Sequence, residues 1–96
     1  MMIYKYKVDY TSDFRKNYSK VKKQGKNLNK LKYIIEQLAC GNDLESKYRD
    51  HKLKGNKGFK DCRECHIEPD WLLVYRINDN ELVLLLINTG SHSNLF

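Results

Sequence analysis

The stretch "WLLVYRINDNELVLLLI", residues 71–87, decides the predicted fold. Residues 71–77 and 82–87 are apolar runs of strand length, and the polar turn "NDNE" separates them. The second run, "LVLLLI", would be apolar on both faces of a sheet, which indicates a central strand. A third strand-like run, at residues 62–67, precedes a turn at "EPD". The C-terminal half therefore predicts a three-stranded antiparallel meander.

One strand and two helices are predicted upstream of the meander. Alternating polar and apolar residues at 3–10 indicate a strand. Residues 13–25 and 27–39 each carry an apolar stripe at helical spacing; Gly25 ends the first and Gly41 stops the second, which predicts a helical hairpin. Residues 42–61 predict a long ordered loop that can hold one short strand near 52–53. Because the helical stripes need a surface to cover, we predict an α+β fold with one four-stranded sheet.

Length and composition favour a single small domain. The chain has 96 residues, of which 41% are hydrophobic, so we expect one globular domain over residues 1–96. No apolar run is long enough for a transmembrane helix. The N-terminal segment lacks the apolar region and small-residue cleavage site of a signal peptide. We therefore expect a cytoplasmic protein with no membrane partner.

The positive charge lies in two blocks. Residues 1–32 carry ten Lys or Arg and two acids, and residues 47–63 carry seven Lys or Arg and two acids. The rest of the chain is net negative, so the two blocks favour a basic surface that faces a polyanion such as RNA. The alternative is that these lysines only keep a small protein soluble.

The motif "CRECH", residues 62–66, matches the pattern for covalent haem attachment. In a strand, side chains alternate between faces, so Cys62 and Cys65 would point in opposite directions and could not grip one porphyrin or one zinc ion. This kind of haem attachment takes place after export, and nothing in the sequence directs export. We therefore expect no haem, no structural zinc and no other cofactor, and we interpret both cysteines as small, half-buried hydrophobic residues.

The same alternation places Glu64 and His66 side by side on one face. Two other histidines, His51 in "YRDHKLKG" and His92 in "GSHSNLF", also lie outside the predicted helices. Taken alone, each histidine could equally be an ordinary surface or capped residue. A three-histidine metal site is disfavoured because no pair has ligand spacing such as H-x-x-x-H.

The segments "YRDHKLKG", "CRECHIEPDWLLVY" and "TGSHSNLF" resemble the signature segments of the YafQ branch of the RelE family. The second-helix segment "NKLKYIIEQL" is similar as well, so the resemblance covers nearly the whole chain. The most specific part is H-x-E-P-D-W followed by G-[ST]-H-x-x-L-F. Members of this branch are small cytoplasmic toxins of bacterial type II toxin–antitoxin pairs that cut messenger RNA on the ribosome.

The resemblance implies a RelE-like fold, in which a helical hairpin packs on a four-stranded, mostly antiparallel sheet. It also implies a metal-independent endoribonuclease whose partners are a cognate antitoxin, mRNA in the ribosomal A site and ribosomal RNA. The active-site positions of the family fall on these residues of this chain: His51, Glu64, His66, Asp70, His92 and, for a C-terminal aromatic, Phe96.

Two departures from the family pattern affect this interpretation. Glu64 stands where some relatives have Asp, and Asn88 stands where many carry Arg before Thr-Gly. Another cation must then stabilise charge on the phosphate, or the enzyme is weaker. The candidate RNA contacts are Arg63, Arg76, Lys52, Lys54 and the aromatic Phe96, which could stack on a splayed base.

The chemistry expected of these residues is attack by the RNA's own 2′-OH on the adjacent phosphate. His66, beside Glu64 or Asp70, is expected to act as the base and His92 as the acid, although these two roles could be exchanged. His51 would be a second proton-transfer or phosphate contact. Two alternatives stay open: a non-catalytic RNA-binding module and a catalytically weak protein that binds its antitoxin as a co-repressor.

Overall fold

The computed structural model describes residues 3–54 and 61–96. Its elements are β1 (Lys7–Tyr10), α1 (Ser12–Lys23), α2 (Leu28–Ala39), a short 3₁₀ helix (Ser46–Tyr48), β2 (His51–Lys52), β3 (Arg63–Glu68), β4 (Trp71–Asn78), β5 (Val83–Gly90) and α3 (His92–Leu95). This order confirms the predicted α+β class, with an N-terminal strand, a helical hairpin and a meander. Part of the predicted loop, residues 55–60, lies outside the described residues.

Side-chain caps start both helices of the hairpin. The Thr11 hydroxyl accepts a hydrogen bond from the backbone N–H of Phe14 at 3.0 Å, and the Asn27 side chain accepts one from Asn29 at 3.1 Å. These bonds satisfy backbone donors that have no partner within the helix. Gly25 lies between the helices at φ 77°, a left-handed conformation that a side chain would strain. The hairpin thus forms from signals that are local in sequence.

Within the described residues, the sheet has five strands in the order β1-β5-β4-β3-β2. β1 pairs with β5 in parallel, and the other three pairs are antiparallel. The register aligns two rows of residues across the sheet: His51, Glu64, Val74 and Asn88 form one, and His66, Leu72 and Gly90 form the other. The rows bring segments that are distant in sequence to one end of the meander.

The two faces of the sheet differ in what covers them. We call the side covered by α1 and α2 the helical face; its buried strand residues are Cys65, Ile67, Trp71, Leu73, Tyr75, Leu84 and Leu86. We call the other side the open face; a smaller cluster there consists of Cys62, Leu72, Val74 and Leu95, with Leu53 and Ile87 against it. The main core therefore lies between the helices and the sheet, and the open face is the side on which polar residues can gather.

Three features differ from the prediction. The sheet has five strands instead of four, because residues His51–Lys52 pair with the edge of β3. The N-terminal strand begins at Lys7 instead of residue 3, since the segment before it bonds to the end of α2: the backbone N–H groups of Lys5 and Tyr6 donate to the Ala39 carbonyl. A short helix, α3, follows the last strand where only a terminal loop was expected.

The cysteines of "CRECH" lie on opposite faces, as alternation predicts. Cys65 belongs to the core of the helical face and Cys62 to the cluster on the open face. Both are fully buried, not half-buried as expected, because each also lies under a neighbouring element. None of the helices within residues 3–54 and 61–96 is long and apolar enough to cross a membrane.

Candidate active site

A buried carboxylate forms the centre of the open face. Glu64 is 4% exposed, and its Oε1 lies 3.5 Å from His66 Nε2 and 3.7 Å from His51 Nε2. Strand alternation brings His66 to Glu64, and the pairing of β2 with β3 brings His51 to the same oxygen. One carboxylate therefore faces two imidazoles, which are groups that exchange protons near neutral pH.

Backbone carbonyls orient both imidazole rings. His51 Nδ1 lies 2.7 Å from the carbonyl oxygen of Arg49, and His66 Nδ1 lies 3.4 Å from that of Pro69. Because a carbonyl only accepts, these hydrogen bonds need the hydrogen on Nδ1, which leaves Nε2 of each ring facing Glu64. The two ring centroids are 6.3 Å apart. The arrangement is that of a proton acceptor whose charged form is stabilised by a carboxylate.

A second group lies at the turn before β4 and in the short helix after β5. The carboxylate of Asp70 accepts a hydrogen bond from the backbone N–H of His92 at 3.1 Å. The His92 ring packs against Phe96, with centroids 5.1 Å apart and planes tilted by 47°. Phe96 is 44% exposed. The His92 residue itself is exposed.

The two groups are close neighbours across the sheet. His66 aligns with Leu72, and Leu72 with Gly90, two residues before His92. Two strand spacings are about 10 Å, so the end of β5 from which His92 follows lies about that far from His66. The turn that carries Asp70 also supplies the Pro69 carbonyl beside His66. The structure thus brings together all of the residues predicted as catalytic: His51, Glu64, His66, Asp70 and His92.

The predicted RNA contacts divide between the two faces. Arg76 lies on the open face, where its charge acts on the Cys62 thiol, whose pKa is raised mainly by burial. Lys54 is exposed just after β2. Arg63 lies on the helical face, bonded through Nε to Asp50 at 3.2 Å, and Lys52 pairs with it in the β2–β3 register. Arg63 and Lys52 therefore do not join the histidines.

Sequence reasoning missed a basic cleft beside His66. Its volume is about 450 Å³, and its charged lining residues besides His66 are Lys30, Lys47, Arg49 and Glu68, the last of which pairs with Lys30. Among the described residues no acidic side chain pairs with Lys47 or Arg49, which leaves two cations for an anionic ligand. Lys47 and Arg49 lie shortly before His51 in the second basic block. This closeness in the sequence was the signal that could have indicated cations near the histidines.

The departure at Asn88 has a structural counterpart. The Asn88 side chain accepts a hydrogen bond from Asn17 of α1 at 2.6 Å and another from the backbone N–H of Thr89 at 2.9 Å. These bonds tie the Asn88 side chain to α1 and to the end of its own strand.

No group of three or more His, Cys, Asp or Glu side chains within residues 3–54 and 61–96 is arranged to hold a metal ion. Glu64 Oε1 lies 3.5 Å from His66 Nε2 and 3.7 Å from His51 Nε2, and both distances are longer than an ordinary N–H···O hydrogen bond.

Comparison with known proteins places this geometry in a family. A family model described as the bacterial toxin of type II toxin–antitoxin system, YafQ, matches residues 6–96. The Escherichia coli K12 protein named mRNA interferase toxin YafQ is 36% identical over 90 residues, which cover 93% of this chain and 94% of that protein.

Solved structures agree with the family match. The crystal structure of the E. coli DinJ–YafQ toxin–antitoxin complex is similar with a TM-score of 0.86 at 34% identity, covering 96% of this chain and 98% of that chain. A metal-bound toxin from Helicobacter pylori is similar with a TM-score of 0.88 at 43% identity, covering 95% of this chain and 99% of that chain.

Proposed function

This chain belongs to the YafQ family of toxins from bacterial type II toxin–antitoxin systems, and from that membership we propose that it is a cytoplasmic mRNA interferase that cuts translated mRNA on the ribosome. The observation that carries the proposal is the gathering of three histidines and two carboxylates on the open face. Acid–base chemistry on RNA needs a base, an acid and a cation, and the open face offers all three.

The proposed reaction uses the 2′-OH of the RNA as the nucleophile. His66 takes the hydroxyl proton on Nε2, and the neighbouring Glu64 stabilises the imidazolium that forms. The 2′-oxygen bonds to the adjacent phosphorus while the bond to the 5′-oxygen breaks, and His92 gives a proton to that departing oxygen. The products are a 2′,3′-cyclic phosphate and a 5′-OH. His51 supports the base or contacts the phosphate, and Asp70 fixes the backbone of His92.

Cations near the open face support the proposed RNA path. Arg76 and Lys54 lie on or beside that face, and the cleft next to His66 adds Lys47 and Arg49. These cations would lie close to a phosphate bound on the open face. They would stabilise the negative charge that the phosphate gains in the pentacoordinate transition state. Phe96 offers a half-exposed ring on which a splayed base can stack. Arg63 and Lys52, on the other side, are better placed to contact ribosomal RNA than the scissile phosphate.

The proposed partner is a cognate antitoxin with an acidic segment. Tyr10, Phe14 and Tyr18 form a ladder of rings with centroid spacings of 6.2 and 6.0 Å, and a groove beside them includes Arg15. Tyr10 and Val8 on the edge strand β1 are exposed. An acidic, partly apolar antitoxin segment is complementary to this surface and to the surrounding basic block. Its association rate should fall as salt rises, and a salt-independent rate would contradict the assignment.

The decisive experiment compares substrates. Purified protein is added to naked RNA and to ribosomes programmed with the same RNA, and the 5′ ends of the products are mapped. We expect cuts inside translated codons with 5′-OH ends, and much faster cleavage on ribosomes. Equal rates on both substrates would contradict ribosome dependence, whereas intact RNA in both would favour the RNA-binding or co-repressor alternatives.

The same cleavage assay with a chelator added tests whether the reaction needs a metal ion. A transition-metal chelator that leaves the ribosomal Mg²⁺ in place should not change the rate of cleavage. Loss of activity that added zinc or copper restores would contradict metal-independent chemistry and would point to the histidines as ligands.

A further inference from the structure

We infer that Asp50 is a positioning residue for His51. Its carboxylate, held on the helical face by Tyr75 and Arg63, fixes the short strand β2 so that the next residue stands beside Glu64 on the open face. The consequence for cleavage rests on the proposed function, whereas the position of the His51 ring can be measured by itself.

Among the described residues, a few backbone contacts hold β2 to β3. The register pairs His51 with Glu64 and Lys52 with Arg63, and the Leu53 N–H donates to the Cys62 carbonyl at 3.0 Å. Strand β2 lies at the end of the sheet order among these residues. Edge pairs open easily, and the His51 side chain is 51% exposed. A further restraint at the start of β2 adds to this pairing and keeps the imidazole 3.7 Å from the Glu64 oxygen.

Asp50 provides this restraint through one carboxylate oxygen with two donors. Its Oδ1 accepts a hydrogen bond from the Tyr75 hydroxyl at 2.6 Å and one from Arg63 Nε at 3.2 Å. Tyr75 lies on β4 and is 1% exposed, so its ring is fixed by the core. Both bonds involve a charged acceptor, which makes them stronger than neutral ones. Asp50 thereby ties the chain entering β2 to β3 and β4.

The Tyr75 hydroxyl stays a donor over the working pH range. Burial and the hydrogen bond to Asp50 both raise the pKa of Tyr75. The bond therefore does not depend on a titration near neutral pH, and the restraint holds wherever Asp50 is ionised.

Asp50 and His51 are neighbours in the chain whose side chains lie on opposite faces of the sheet. The Asp50 carboxylate is bonded to Tyr75 and Arg63 on the helical face, and the His51 ring lies beside Glu64 on the open face. A restraint on Asp50 therefore also limits the movement of His51. Arg49 adds the ring orientation: at φ 51° and ψ 40° it is left-handed, and its carbonyl oxygen lies 2.7 Å from His51 Nδ1. Non-glycine residues in this conformation are held there by surrounding contacts and occur often at functional sites.

The test combines ring spectroscopy with single-turnover cleavage on programmed ribosomes. Asp50→Ala removes the acceptor, Asp50→Asn keeps an acceptor oxygen without the charge, and Tyr75→Phe removes one donor hydroxyl. The matched control is Glu45→Ala, which removes a similar bond, 2.8 Å from the Tyr33 hydroxyl, outside the sheet. Nuclear magnetic resonance of labelled protein reports the His51 ring proton shifts.

We expect Asp50→Ala to move the His51 ring signals and to lower the cleavage rate at saturating protein about tenfold, with a smaller change in the half-saturating concentration. Asp50→Asn should recover most of the rate, and Glu45→Ala should match wild type in both measurements. In a His51→Ala background, Asp50→Ala should cost nothing further, because a residue that acts through His51 has no target left.

Unmoved His51 signals in folded Asp50→Ala protein overturn the inference, as does a full additional loss in the His51→Ala background. Moved signals with wild-type cleavage support the positioning and contradict instead the role proposed for His51. If Asp50→Ala does not fold, Tyr75→Phe decides: a moved His51 ring supports the inference and an unmoved one overturns it.

Discussion

The two faces of one sheet have opposite physical character. On the helical face, Trp71 and Leu73 are fully buried under two helices, and the Trp71 N–H donates to the Thr89 hydroxyl at 3.0 Å. On the open face, Glu64 is buried beside two imidazoles that are 18% and 51% exposed. Because side chains alternate along a strand, adjacent residues belong to different faces. The helical face therefore supplies most of the buried core, and the open face carries the proposed catalytic groups. Substitutions on the helical face should lower stability, and substitutions on the open face should lower activity.

The largest loss of cleavage activity is expected from His92→Ala on the open face. Loss of a general acid typically slows a reaction about a hundredfold to ten-thousandfold. The side chain is exposed and its partner Asp70 bonds its backbone, so folding and antitoxin binding should not change. Single-turnover cleavage on programmed ribosomes, with circular dichroism for the fold, measures this. His66→Ala should come close behind.

A rate for His92→Ala within about threefold of wild type, less than about 0.7 kcal/mol in barrier, would contradict its role as the acid. The acid would then have to be sought at His51 or a lysine.

On the helical face, Leu31→Ala should show the opposite pattern. Leu31 is 1% exposed in α2, and removal of such a side chain typically costs about 2–5 kcal/mol of unfolding free energy. Cleavage by the remaining folded protein should stay near wild type, because the open face is unchanged. Denaturant unfolding and cleavage at low temperature measure the two quantities.

The matched control is Leu82→Ala, since Leu82 is 47% exposed and should cost under about 0.5 kcal/mol. If Leu31→Ala lowered the cleavage rate of folded protein as much as an open-face substitution, the separation of the faces would fail.

Glu64→Gln should lower activity by an intermediate amount. The amide keeps the shape of the carboxylate but cannot stabilise an imidazolium at His66, so we expect about a tenfold slower cleavage. A loss as large as that of His92→Ala would mean that Glu64 is indispensable and that Asp70 cannot compensate. Unfolding free energy should change little or even rise, because a buried charge is removed.

Local patterns in the sequence predicted the fold best. The alternation in residues 62–67 correctly put Glu64 beside His66 and the two cysteines on opposite faces. The structure places Arg63 with Cys65 on the helical face, as alternation requires, although Arg63 was expected to contact RNA. The chemical roles of these residues stay predictions.

Long-range pairing explains what the sequence did not reveal. The contact of His51 with Glu64 depends on a two-residue strand that pairs across the loop, and so short a segment has no periodicity to detect. The restraint by Asp50 likewise depends on Tyr75, 25 positions away. The helix α3 has four residues, too few for a helical pattern, and it replaces the loop expected around His92.

The smallest effect is expected where the two faces meet, at the ion pair of Glu68 on β3 with Lys30 on α2. The Glu68 carboxylate lies 2.9 Å from Lys30 Nζ, and this hydrogen bond lowers the pKa of Glu68 below its ordinary 4.5. Since the folded-state pKa is the lower one, the pair stabilises the fold above about pH 4.5 and loses its effect as the pH falls through the folded-state value.

The side chains of Glu68 and Lys30 are 31% and 51% exposed, so screening limits the contribution of the pair to roughly 0.2–1 kcal/mol. Glu68→Gln should therefore lower the melting temperature slightly at pH 7 and low salt, and this difference should shrink as the pH is lowered below 4.5. The control is Glu36→Gln, whose pair with Lys32 is longer at 3.9 Å and lies within one helix, so its effect should be smaller. A difference that stays constant as the pH is lowered would mean that Glu68 stabilises this boundary by packing and not by its charge.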